Sequence, residues 1–196
     1  MKIGIDIDDT ITNSSIIFIK YAIEYNKKYK IEHKIDTTQL DQNKAFGWNK
    51  FDQKRFLKEY LSKIFDEVTP NKNSVWAINN LKKQGNKIYF ITARNEKEAK
   101  DTYTITKKWL VKNRINYDEL IINCFNKSDI CKEKNVDIFI DDNFDNCLKV
   151  YNENKINVFM FNTNYNIKYN SDNIVRVFDW MDIYNKIKEK EKNEKK

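Results

Sequence analysis

Three apolar runs in this sequence each end in side chains suited to the same chemistry. Ile3-Gly4-Ile5 leads into Asp6-Ile7-Asp8-Asp9-Thr10, Ile88-Tyr89-Phe90-Ile91 leads into Thr92-Ala93-Arg94, and Ile138-Phe139-Ile140 leads into Asp141-Asp142-Asn143. Carboxylates are costly to bury without a counter-charge. Several of them gathered on one rim call for a hard divalent cation with oxygen ligands, such as Mg²⁺. Lys127, after Asn123-Cys124-Phe125-Asn126, supplies a second positive charge.

Phosphoryl-transfer chemistry assigns a role to each of these groups. A carboxylate attacks phosphorus in line and becomes an aspartyl-phosphate, which splits hydrolysis into two steps. Asp6 is the candidate nucleophile. A second carboxylate two residues on protonates the leaving alkoxide and then deprotonates the attacking water. Asp8 is the candidate for that work. Thr92 and Lys127 are the candidates to hold phosphoryl oxygens and balance charge. The expected metal ligands are Asp6, the backbone carbonyl of Asp8, and Asp142 or Asp141.

Composition narrows the remaining classes. His33 is the only histidine and sits in a Lys-rich polar stretch, so a Ser–His or Cys–His mechanism has one histidine to draw on and is disfavoured. Cys124, Cys131 and Cys147 have neither zinc-site nor CxxC spacing and read as small buried hydrophobes in a reducing compartment. Three glycines leave no P-loop and no GxGxxG turn. The apolar runs are too short to span a bilayer and the N-terminus lacks the apolar stretch of a signal peptide, so the expected location is the cytoplasm. The net charge of +7 includes +3 from Lys186 to Lys196, read as a solvated, frayed helix end. No Arg-rich stripe accompanies it.

The elements that must position these groups follow from the hydrophobic pattern. Lys2 to Ile7 reads as a buried strand. A helix capped by Ser14 or Ser15 is expected to run to about Lys30, and Phe51 to Val68 is a clearer helix, closed by Pro70. From Ser74 onward helices and strands alternate: a helix to Gly85, strand Lys87 to Ile91, helix Glu96 to about Lys112, strand Leu120 to Ile122, helix Ser128 to Lys134, strands Asp137 to Ile140, Asn157 to Phe161 and Val175 to Phe178, and a terminal helix from Trp180. That alternation predicts an α/β fold, a parallel sheet covered on both faces. The catalytic core is expected to be discontinuous, residues 1–12 and 75–185, with a helical cap over 13–74 and a charged tail over 186–196. The cap would then start where such sheets bind ligands, at the carboxyl ends of the strands.

With Asp6-x-Asp8-x-Thr10, strand-ending Thr92, Lys127 and Asp141-Asp142 in this order, the chain resembles the haloacid dehalogenase-like superfamily over essentially its whole length. The resemblance implies a Rossmann-like, doubly wound core with the first strand central and a helical cap after it. The second aspartate, Asp8, points to the phosphatase branch. The stretches Ile3 to Thr10, Asn126 to Cys131 and Asp137 to Asp142 look most like 5′-nucleotidases of the deoxyribonucleotidase type, which favours Asp142 over Asp141 as metal ligand. Animal members carry a proline near the second motif, where this chain has Thr92-Ala93-Arg94. Arg94 is left with two roles, binding a phosphate or sugar oxygen or capping the next helix. Trp48, Phe46 and Phe18 are candidates to stack on a nucleobase or to pack the cap's own core. Asn13 is a candidate for phosphate or ribose, and Asp145 for a supporting or capping role. The expected activity is Mg²⁺-dependent hydrolysis of a small phosphomonoester, a nucleoside or deoxynucleoside 5′-monophosphate before a sugar phosphate. A basic nucleic-acid-binding protein without turnover is the rival of another class. No membrane and no stable nucleic-acid partner are expected, and a homodimer is admitted.

Overall fold

The computed structural model describes residues 1–193. Its elements are β1 (Lys2–Ile5), α1 (Ser14–Tyr29), α2 (Gln42–Phe46), α3 (Lys50–Glu67), α4 (Ser74–Lys83), β2 (Lys87–Ile91), α5 (Thr102–Lys112), β3 (Glu119–Ile121), α6 (Lys127–Lys134), β4 (Ile138–Asp141), α7 (Phe144–Asn154), β5 (Asn157–Phe161), β6 (Val175–Val177) and α8 (Trp180–Asn193). The six strands form one sheet in the order β3-β2-β1-β4-β5-β6, with every pairing parallel. The fold is the expected α/β class.

Each strand is covered on both faces because successive residues point to opposite sides. Ile88, Phe90, Ile138 and Ile140 face one apolar layer, shared with Ala77, Ile78 and Leu81 of α4 and Trp180, Ile183 and Ile187 of α8. Tyr89, Ile91 and Phe139 face the other, with Cys131 of α6 and Cys147 and Val150 of α7. This double coverage explains why the strands read as unbroken apolar runs. Gly4 has a packing reason. A Cβ there would lie 3.0 Å from Ile91 and 3.2 Å from Phe139, the side chains that close over the central strand.

Helices α1, α2 and α3 come between β1 and α4 and carry an aromatic cluster of their own. Tyr25, Phe46, Trp48, Phe56 and Tyr60 are all buried, with the Trp48 and Phe56 ring centroids 4.5 Å apart. The chain leaves and re-enters the core side by side. Thr12 bridges Pro70, the Asn13 amide donates to the Thr69 carbonyl at 3.0 Å, and the Asn71 amide donates to the Ile11 carbonyl at 2.8 Å.

Three differences from the sequence reading have identifiable causes. The helix expected from Glu96 starts at Thr102, because the Glu96 carboxylate accepts from the Thr102 and Tyr103 amides and so caps the helix from outside it. Helices α2 and α7 are additions: α2 is only five residues long, whereas Phe144, Cys147, Leu148 and Tyr151 of α7 recur at helical spacing, a signal the sequence reading passed over. The supposed frayed end from Lys186 is, as far as Asn193, the packed end of α8: Ile187 is fully buried and Asn86 donates to Glu191 at 2.7 Å. Residues 194–196 of the expected tail lie outside the described residues. No helix among the described residues is long and apolar enough to cross a membrane.

Trp180 ties the terminal helix to the turn after β1, its indole N–H donating to the Thr10 carbonyl at 2.9 Å in a buried setting. Trp180→Phe leaves that carbonyl to the Asn71 side-chain amide, which donates to it at 3.1 Å, and is expected to cost about 1 kcal/mol. Urea unfolding measures it, and a loss below about 0.5 kcal/mol would show that the contact contributes little.

Candidate active site

The order of strands places the chemistry. The sheet winds outward from β1 in both directions, through β2 to β3 on one side and through β4 to β6 on the other. The carboxyl ends of β1, β2 and β4 therefore meet at the switch point, where open α/β sheets bind their ligands. Asp6 follows β1 directly and its amide continues the pairing by donating to the Ile140 carbonyl at 2.9 Å. Thr92 follows β2, and Asp141 ends β4 with Asp142 next. Lys127 opens α6 beyond β3 and comes in from the side.

Lys127 is the hub of this rim. Its buried ammonium donates to Asp6 Oδ1 at 2.5 Å and to Asp141 Oδ2 at 2.7 Å. Burial disfavours its charge, yet Asp141 and Asp6 outweigh that and raise its pKa. Asp6, Asp141 and Asp142 are all buried, and each offers an oxygen within 4.8 Å of the others'. One lysine cannot neutralise three carboxylates. Burial, opposed by Lys127 and reinforced by Asp141 and Asp8, pushes Asp6 up to about 7. Burial together with Asp141, Asp6 and Asp9 pushes Asp142 well above the carboxylate range. A divalent cation with oxygen ligands fits this excess of buried negative charge.

The two members of the Asp141-Asp142 pair differ in what they touch. Asp141 accepts from Lys127, from the Asn143 amide at 2.8 Å and from the Asn146 side chain at 3.2 Å. Asp142 meets no cationic side chain among the described residues. It accepts from Thr10 Oγ1 at 3.0 Å and from the Tyr165 hydroxyl, while Asn166 donates to its backbone carbonyl at 2.7 Å. Tyr165 is also 3.0 Å from Asp9. Asp9 adopts the left-handed φ of +56° that turns the chain back under the rim, and its carboxylate receives the Ser15 amide and hydroxyl.

Asp8 has a different setting. Burial would raise its pKa, but the charge and hydrogen bonds of Arg94, with help from Ser14, hold it below the ordinary value. Arg94 Nε reaches Asp8 Oδ2 at 2.8 Å and Nη2 reaches Oδ1 at 2.7 Å, and Ser14 Oγ donates to the same Oδ1 at 2.5 Å. Of the two roles held open for Arg94, helix capping is not seen. Its guanidinium is committed to Asp8 and to Thr106 of α5. Thr92 is buried and accepts from the Arg94 amide at 3.2 Å, so it orders the turn after β2 rather than capping α5.

Above the rim lies a cavity of about 580 Å³ between the core and α1–α3. Asp8, Asp9, Arg94 and Tyr165 lie at its floor, and Phe18, Ile19, Phe46, Leu57, Leu61 and Phe65 form an apolar wall. Phe18 and Phe46 line this space and also pack in the cap's own aromatic cluster, their ring centroids 5.6 Å apart. Trp48 does not line it: Trp48 is buried in the aromatic cluster, with its indole N–H on Asn26 Oδ1 at 2.6 Å. Asn13 lines the cavity while its side chain accepts from the Thr69 amide at 2.8 Å. Asp145 is exposed on α7, where the cap comes from Asn143 instead. His33 is likewise exposed, in the loop after α1.

Several residues of the site lie outside the motifs. Ser14 reads in sequence as a helix cap. Tyr165 and Asn166 come from the loop between β5 and β6, and no spacing rule connects them with Asp142. Gln42 and Gln53, whose side chains pair at 3.2 Å, are among the polar residues that line the cavity, with Asp36, Thr37 and Gln39.

Comparison with known proteins agrees with this geometry. No family model matches the chain. A nucleotidase of Clostridium acetobutylicum is 32% identical over 185 residues, covering 94% of this chain and 92% of that protein. A Bacillus subtilis relative with a provisional nucleotidase name is 27% identical over 184 residues, covering 93% and 91%. Among solved structures, a haloacid dehalogenase-like hydrolase from Streptococcus pneumoniae superposes with a TM-score of 0.70 at 14% identity, covering 95% of this chain and 97% of that one. CbbY from Rhodobacter sphaeroides, solved with phosphate, gives 0.63 at 12% identity, covering 91% and 94%. The last two likenesses concern the fold.

A carboxyl group whose pKa rises on folding binds its proton more tightly in the folded chain, so its contribution to stability is lost as pH climbs from the unfolded value towards the folded one. For Asp6 that window runs from 3.8 to about 7. In chelator, the thermal midpoint of the wild type is expected to fall between pH 5 and pH 7.5. Asp6→Asn should flatten that slope and melt higher than the wild type at pH 7.5. A midpoint that climbs across the window would contradict the charge excess.

Proposed function

Because the chain belongs to the family of the nucleotidase it matches at 32% identity and has the fold of haloacid dehalogenase-like hydrolases, we propose that it is a Mg²⁺-dependent 5′-nucleotidase acting on nucleoside or deoxynucleoside monophosphates through an aspartyl-phosphate. The observation that carries the chemistry is the convergence of Asp6, Asp141 and Asp142 at the switch point, with Lys127 paired to the first two. The substrate class rests on the cavity, which has room for a nucleoside, an apolar wall containing Phe18 and Phe46, and the amides of Gln42 and Gln53. A planar base with polar edges suits that lining better than a polyhydroxylated sugar.

In this reading an Asp6 oxygen attacks phosphorus as the bond to the leaving oxygen breaks, and Asp8 gives that oxygen its proton. Asp8 then takes a proton from water, the water oxygen attacks the same phosphorus, and Asp6 is released as a carboxylate. Lys127 and Thr92 hold phosphoryl oxygens, with Arg94 as a further candidate. Asp6, the Asp8 carbonyl and Asp142 would hold the cation. When bound, it neutralises charge on the phosphoryl group and among the carboxylates. Asp142 is favoured over Asp141 because Asp141 is already satisfied by Lys127, Asn143 and Asn146. Asp8 sits ionised beside Arg94 at rest, and the incoming negative charge of the phosphoryl group offsets the guanidinium and lets Asp8 take up the proton it must donate.

We assign residues 1–12 and 75–185 to the catalytic unit and 13–74 to a cap that selects substrate and excludes water. Three buried free cysteines suit work in the reducing cytoplasm.

The test is phosphate release from a panel of nucleoside monophosphates and sugar phosphates, with Mg²⁺ and with EDTA. Metal-dependent release greatest on nucleotides is the expected result. Release from sugar phosphates alone would overturn the substrate and keep the chemistry. Asp6→Asn should lower kcat by at least about a thousand-fold with the fold intact, and wild-type turnover in that variant would remove Asp6 as nucleophile.

A further inference from the structure

Arg94 makes more contacts than a phosphate-binding arginine needs. It is buried, and both arms of its fork are on Asp8: Nε to Oδ2 at 2.8 Å and Nη2 to Oδ1 at 2.7 Å. Nη1 donates to Thr106 Oγ1 at 3.2 Å, so α5 fixes the fork from behind. The guanidinium carbon stands 4.0 Å from the centre of the Phe65 ring, on α3 of the inserted helices. Asp8 has a further partner, the Ser14 hydroxyl, at the start of α1. The carboxylate is thus held between Arg94, after β2, and Ser14 at the start of α1, while α3 reaches it through the Arg94 guanidinium. A planar fork on a carboxylate fixes direction as well as distance, which an ammonium cannot do.

We propose that Arg94 is the positioning residue of Asp8, setting the direction in which Asp8 presents its carboxyl group to the leaving oxygen and tying that direction to the seating of α1 and α3. This inference rests on the role given to Asp8 above. It departs from the expectation that Arg94 serves the phosphoryl group itself. The step concerned is the first one: the Asp6–phosphorus bond forms, the phosphorus–oxygen bond to the leaving group breaks, and the Asp8 proton passes to that oxygen. A poor leaving group depends on that proton and a good one does not.

The experiment compares kcat/KM for benzyl phosphate and p-nitrophenyl phosphate, two esters of similar size, with Mg²⁺ present. kcat/KM reports steps up to the first irreversible one, so the later hydrolysis of the aspartyl-phosphate does not enter. p-Nitrophenolate leaves unaided, whereas the benzyl alkoxide needs the proton. Arg94→Lys keeps the charge and loses the fork. It is expected to lower kcat/KM on benzyl phosphate by about ten-fold or more and on p-nitrophenyl phosphate by less than about three-fold. Asp8→Asn should show the same selectivity at roughly a hundred-fold, and the double variant should be no worse than Asp8→Asn alone. Ser14→Ala, which removes the remaining contact on Asp8 and leaves Arg94 in place, should show a smaller loss of the same selective kind and serves if Arg94→Lys does not fold. Equal losses on both esters in Arg94→Lys, or no loss on either, would overturn the proposal, the former because it marks a phosphate-binding or structural arginine. If Asp8→Asn itself fails to discriminate between the esters, the role given to Asp8 falls, whereas discrimination by Asp8→Asn without it in Arg94→Lys removes the role of Arg94 alone.

Discussion

A single buried ammonium, that of Lys127, stands between Asp6 and Asp141, and the arrangement of the rim answers to the negative charge it leaves uncompensated. In a medium of low dielectric, like charges a few ångströms apart repel strongly. The chain meets that repulsion partly with hydrogen-bond donors: Thr10 and Tyr165 on Asp142, Asn143 and Asn146 on Asp141, Ser15 on Asp9. Donors spread charge but do not cancel it. In the function proposed above, that remainder is what a divalent cation would meet, and with the cation in place an anionic phosphoryl group.

The same constraint separates the two carboxylates of the first motif. Asp6 shares Lys127 with Asp141 and lies among other acids, so its proton is held tightly. Asp8, two residues on, has Arg94 almost to itself and is held ionised. Two side chains of one chemical type acquire opposite tendencies from their neighbours, each the reverse of what its proposed step requires, so the proposed roles need a bound cation to favour ionised Asp6 and an incoming phosphoryl group to let Asp8 take up its proton.

Much of this could be read in the sequence, for a physical reason. Strands buried on both faces appear as unbroken apolar runs, so the polar residues ending them stand out; Asp6, Thr92 and Asp141 were found that way. Lys127 was legible because it follows a short strand and opens a helix. Tyr165 and Asn166 were not, because a loop reaching across from β5 leaves no periodic trace. The start of α5 was misplaced by six residues because Glu96 caps the helix from outside it, and a cap of that kind looks like helix in a sequence. Trp48 reads equally well as a base platform or as core, and only packing against Phe56, with its indole on Asn26, decides that it belongs to the core.

The join between the inserted helices and the sheet is made largely by main-chain atoms: the Thr12–Pro70 bridge and the amide-to-carbonyl bonds Asn13 to Thr69 and Asn71 to Ile11. Peptide groups are common to all side chains, so such a seam places few demands on the residues beyond it. With an aromatic nucleus of their own, α1–α3 are free to drift in sequence apart from Ser14, Ser15 and Phe65, which reach down to Asp8, Asp9 and Arg94 and must be kept for the acidic rim below to stay as it is. Diversification of a lineage built on this plan would then accumulate above the seam, much as interchangeable heads are fitted to one handle.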